Sequence, residues 1–110
     1  MGRYITTTGT AGVTSVEVST TYSASVNDRI LANTSGGAFT ITLPTNASLL
    51  LNDTIQIIDA NGSADTNTIT VSRNGSKINN VADNLTIDVK GAIVTLIYTG
   101  SNYGWIVGSV

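Results

Sequence analysis

From Val13 onward the apolar residues recur with a period of two, the spacing that puts alternate side chains on opposite faces of an extended strand. Phe39, Ile41 and Leu43 alternate with Thr40 and Thr42. Ile69 and Val71 alternate with Thr68 and Thr70, and Leu85, Ile87 and Val89 alternate with Thr86 and Asp88. These segments are short and rich in β-branched residues, which fit a pleated, half-buried surface. Further strands are expected over Val13 to Val18, Arg29 to Asn33, Thr54 to Asp59, Ile93 to Tyr98 and Trp105 to Val110, giving about eight in all. In two of them, at Ile55, Ile57 and Ile58 and at Ile93-Val94 with Leu96-Ile97, apolar residues fall on both faces. That pattern marks central strands, or strands covered by a neighbouring subunit.

Between the strands lie Ser35-Gly36-Gly37, Asn61-Gly62, Asn74-Gly75, Lys90-Gly91 and Gly100-Ser101-Asn102. All supply residues that tolerate positive φ, so tight turns and antiparallel hairpins are expected. The only proline, Pro44, follows the Phe39 to Leu43 strand, where its missing N–H ends the ladder, and Ala47 to Leu51 has room for one helical turn. Short strands with glycine-rich turns predict an all-β fold, an antiparallel β-sandwich or jelly-roll-like body. Residues 1–12 have no apolar period and read as an extended N-terminal arm, leaving 13–110 as one domain.

Composition sharpens this picture. Of 110 residues, 41% are hydrophobic but only 11% are charged, and the net charge is −2. The surface is therefore hydroxyl-rich and nearly neutral. Arg3, Arg29, Arg73, Lys77 and Lys90 are scattered and form no basic stripe, which argues against nucleic acid and anionic membranes as partners. Residues 1–6 carry no apolar run of leader length, and Leu49-Leu50-Leu51 is too short to insert in a bilayer.

Cysteine and histidine are both absent. No disulfide can reinforce the core, Ser-His-Asp and Cys-His catalysis are excluded, and the commonest zinc ligands are missing. A glycoside hydrolase would need only two carboxylates. Glu17 is the sole glutamate, however, and the aspartates fall mostly at strand ends and turns, so no catalytic, metal-binding or cofactor-binding residue is assigned. The loop Asp59-Ala60-Asn61-Gly62-Ser63-Ala64-Asp65 places oxygen-bearing side chains at alternate positions, as calcium loops do. It has Ala64 where an EF-type loop requires glycine and Thr70 where it requires a bidentate glutamate. Tyr98, Asn102, Tyr103 and Trp105 surround the last turn and form either a stacking platform for a sugar ring or a core tryptophan beside a solvent-tipped tyrosine.

Three stretches resemble a module of bacteriophage structural proteins: Ile30-Leu31-Ala32-Asn33-Thr34-Ser35-Gly36-Gly37-Ala38-Phe39-Thr40-Ile41-Thr42-Leu43-Pro44, Asn52-Asp53-Thr54-Ile55-Gln56-Ile57-Ile58-Asp59, and Val94-Thr95-Leu96-Ile97-Tyr98-Thr99-Gly100-Ser101-Asn102 with Trp105. The resemblance implies a trimerising β-sandwich of capsid decoration (cement) proteins, head fibres and tail fibres, including those of phages infecting cyanobacteria. It further implies a virion protein assembled in the host cytoplasm, with the major capsid protein or another virion protein as partner. Low charge agrees with a homotrimer, because sheet edges and faces that lack Lys and Glu are protected when they lie against identical subunits. With only residues 1–12 ahead of the module, a decoration protein anchored through Arg3, Tyr4 and Ile5 is the first expectation. A fibre module that binds a host-surface glycan is the alternative.

Overall fold

The computed structural model describes residues 13–109; the expected anchor at Arg3, Tyr4 and Ile5 lies outside them. Among the described residues nine strands form: β1 (Thr14–Val18), β2 (Tyr22–Ser23), β3 (Asp28–Ala32), β4 (Phe39–Thr42), β5 (Thr54–Asp59), β6 (Ile69–Ser72), β7 (Leu85–Ile87), β8 (Ile93–Tyr98) and β9 (Trp105–Ser109). Among the described residues the only helical element is a 3-10 turn, Asn46–Ser48, just after Pro44. The eight strands marked by the hydrophobic period all appear, and β2 is the addition. Two residues are too few to show any period.

The strands divide into a five-stranded sheet, β1-β3-β5-β8-β9, and a four-stranded sheet, β2-β4-β6-β7. Both are mixed. β1, β3 and β5 run parallel, as do β2, β4 and β6, while β7, β8 and β9 pair antiparallel with their neighbours. The expectation of hairpins throughout is therefore corrected. From β1 to β6 the chain crosses to the other sheet after every strand, so strands two apart in sequence become parallel neighbours in one sheet. The turn residues behave as expected, with positive φ at Gly37, Gly62, Asn74, Gly75, Gly91 and Gly100. Only the turns that follow β6 and β8 join antiparallel neighbours of one sheet; the others arch between sheets. Glycine and asparagine serve an arch and a hairpin equally well, because both need left-handed backbone.

Strand register aligns the buried and half-buried inward residues in rows across each sheet. In the five-stranded sheet Val16, Ile30, Ile57 and Val94 form one row and Ile55, Leu96 and Val107 another. In the four-stranded sheet Phe39, Ile69 and Ile87 form one row, with Tyr22, Ile41, Val71 and Leu85 beside it. Residues of both sheets join in a single core. Fully burying each such aliphatic side chain contributes on the order of 1.5–3 kcal/mol, the main force holding the sheets together.

Candidate interaction surface

Residues that alternate with these buried rows point away from the core, and the two outer faces differ in kind. On the four-stranded sheet the outward rows are Thr40, Thr70 and Thr86, and Ser23, Thr42 and Ser72. Every one is a hydroxyl. On the five-stranded sheet one outward row runs Glu17, Leu31, Ile58, Ile93 and another Thr54, Ile97, Ile106. Between them lies the polar strip Ser15, Arg29, Gln56, Thr95. Within it the Arg29 Nε–H donates to Gln56 Oε1 at 3.0 Å and Gln56 Nε2 donates to Thr95 Oγ1 at 3.2 Å. Ile97 and Ile106 face each other across β8 and β9 and remain 41% and 40% exposed. The sequence pattern had marked Ile58, Ile93 and Ile97 as two-faced positions. Leu31 and Ile106 carried the same signal, an apolar residue beside a core residue, and were not singled out.

The free edge of β9 is covered from Trp105 to Val107. Lys77 to Asn79 runs alongside it: Trp105 N–H donates to Lys77 O, Asn79 N–H donates to Trp105 O, and Val107 N–H donates to Asn79 Oδ1. Gly104 permits that approach, since a Cβ on it would stand 2.1 Å from Lys77 O and its φ is +74°. Where β7 ends and β8 begins, a groove of about 340 Å³ is lined by Leu85, Val89, Ala92, Ile93 and Val107, with Asp88 and Lys90 as its charged residues.

Of the two readings of Tyr98, Asn102, Tyr103 and Trp105, the structure has the core tryptophan beside a solvent-exposed Tyr103 and not the stacking platform. Trp105 is 0% and Tyr98 5% exposed, and their rings meet edge-on at 5.4 Å inside the core. Both occupy inward positions of register-paired strands, Tyr98 opposite Trp105. Asn102 and Tyr103 stay at the surface of the β8–β9 turn. The Asp59 to Asp65 loop is likewise organised by the protein itself. Asp59 is buried, and its carboxylate accepts N–H bonds from Ser63, Ala64 and Gly91 at 3.3, 3.1 and 2.9 Å, leaving it aimed at backbone amides. Among the described residues no three acidic side chains gather as a metal ligand set, and no helix is long and apolar enough to cross a membrane.

One further carboxylate is internally engaged. Asp28 accepts the Tyr22 hydroxyl and the Ser25 N–H, both at 2.8 Å. Burial raises the Tyr22 phenol above its ordinary range, and the hydrogen bond to Asp28 and the negative charge there push the same way. What the geometry offers is thus a pair of contrasting surfaces: one aliphatic and almost uncharged, the other hydroxylated. No protein-family model matches the chain, and no curated protein matches it.

Proposed function

We propose that this chain is a bacteriophage virion structural protein, a capsid decoration (cement) protein built as a homotrimeric β-sandwich. One observation carries the reading: a body without His or Cys and sparsely charged has one aliphatic outer face and one hydroxylated outer face. A subunit of a protein assembly needs those two surfaces, one to lie against protein and one to face water. The two mixed sheets sharing one core support the sandwich, and the resemblance described above supplies the virion. The arm with Arg3, Tyr4 and Ile5 is the proposed anchor on the major capsid protein. Binding there adds contacts that only the assembled shell has, and so stabilises it by mass action.

The second reading, a tail-fibre or head-fibre module that binds a receptor or glycan, rests on Asn102 and Tyr103 alone, since the two rings that would have stacked on a sugar are in the core. Mixing the purified full chain with heads and tails of the phage that encodes it separates the two. The expected result is saturable binding at many regular positions on the head, reduced at least tenfold when residues 1–12 are removed. Binding confined to a few tail positions supports the fibre reading instead, and no binding to either overturns both.

A further inference from the structure

We infer that the outer face of the five-stranded sheet is the surface through which this chain packs against a second copy of itself. The inference deepens the homotrimer reading above and rests on it. Three observations select a like copy over other occupants. First, the face is neutral: among the register-paired outward positions of β1, β3, β5, β8 and β9 the charged residues are Glu17 and Arg29, one of each sign. Nucleic acid or an anionic membrane would require a basic surface, and a strongly charged protein partner would require its opposite here.

Second, the pair is self-complementary. Arg29 donates to the neutral Gln56, which leaves its remaining guanidinium N–H groups to reach a carboxylate on an approaching face, and Glu17 sits on the adjacent strand of the same face. A second copy brings the same two charges, so Glu17 of one subunit can meet Arg29 of the next without leaving an unmatched charge. Third, the polar strip that would be dehydrated with the isoleucines already has partners. Arg29 Nε–H, Gln56 Oε1, one Gln56 Nε2 N–H and Thr95 Oγ1 are already engaged with one another, so fewer groups of the strip need partners from the approaching copy, and the remaining Arg29 N–H groups are the ones Glu17 of that copy would meet.

Size agrees with the core of such a contact. Five strands spaced about 4.8 Å apart, each with about five residues rising about 3.3 Å, span about 400 Å². That is about half of what one partner contributes to a standard interface, so the face can serve as the centre of one with a rim supplied by the surrounding loops. The hydroxyl rows of the opposite sheet have no comparable reason to leave water.

The test is mass in solution at micromolar concentration, by sedimentation or light scattering, on the full chain. Wild-type chain is expected as an oligomer. The double variant Ile97→Lys/Ile106→Lys is expected to run at monomer mass, with its strand content unchanged by circular dichroism. Because those lysines could also disturb the fold, a second pair is decisive: Glu17→Arg is expected to weaken association at least tenfold, and Glu17→Arg/Arg29→Glu to restore it. If wild type runs at trimer mass and none of these substitutions alters it, this face is overturned while the trimer stands; dimer mass overturns the trimer. If wild type is a monomer, face and trimer fall together. Binding to phage heads, scored separately, reports on the virion reading in either case.

Discussion

The two outer faces of this molecule share one core and one strand geometry, yet one shows threonine and serine and the other isoleucine and leucine. Thr40, Thr70 and Thr86 form a row on the four-stranded sheet, and Leu31, Ile58 and Ile93 form the equivalent row on the five-stranded sheet. All are β-formers or tolerated in strands, so propensity does not separate them. The difference lies in hydration: a threonine leaves its hydroxyl in water, whereas an outward isoleucine keeps its aliphatic surface wet unless something covers it. Leu31, Ile58 and Ile93 are half-buried and Ile97 and Ile106 exposed, so the exposed pair is a statement about surroundings, not about folding.

The layer that both faces depend on is where the largest effect is expected. Trp105→Ala, which empties a fully buried site and removes the edge contact with Tyr98, is expected to lower unfolding free energy by about 3–5 kcal/mol in urea titration. Gly104→Ala should follow at about 2–4 kcal/mol, because a left-handed backbone position acquires a side chain that collides with Lys77 O. A melting temperature equal to wild type would show that the Lys77 to Asn79 cover is dispensable. Asp59→Ala leaves three amides without their acceptor and is expected to cost about 2–3 kcal/mol, unaffected by added calcium; stabilisation of wild type by calcium would contradict the backbone-binding role.

The faces themselves are sharpened by exchange. Ile58→Thr and Thr70→Val should each change monomer stability by no more than about 1 kcal/mol, but in opposite directions on self-association. The first is expected to reduce it and the second to leave it unchanged or cause aggregation. The smallest effect concerns pH. The Tyr22 phenol has a folded pKa above its ordinary 10.0, so its protonated form contributes stability that is fully present below pH 10.0 and is lost as pH rises through the elevated value. Tyr22→Phe should flatten that alkaline decline without moving the acid limb.

Much of the strand content was legible in the residues, and the reason is physical: Phe39-Thr40-Ile41-Thr42 cannot satisfy a one-sided core except as a strand. Thr54 to Asp59 and Ile93 to Tyr98 were delimited to the residue. Strand direction was not legible. Gly37 and Gly62 adopt positive φ in turns that arch from one sheet to the other, and nothing in a Ser-Gly-Gly or Asn-Gly step distinguishes an arch from a hairpin. The burial of Tyr98 and Trp105 was also ambiguous, because aromatic residues beside a turn suit a core and a sugar platform equally. The doublets Ile57-Ile58, Ile30-Leu31 and Trp105-Ile106 did hold the information about the apolar outer face.

The alternation of strands between sheets has a kinetic side. Arg29 finds its partner at Gln56 and Phe39 at Ile69, whereas Tyr98 meets Trp105 across a single turn. Each parallel pairing closes a long loop before any ladder bond forms, so folding on the order of milliseconds to seconds is expected, with the β8–β9 hairpin able to form first. During that interval β1, β3 and β5 expose aliphatic edges with few charges to keep nascent chains apart. Yield should accordingly improve at lower synthesis temperature and lower chain concentration.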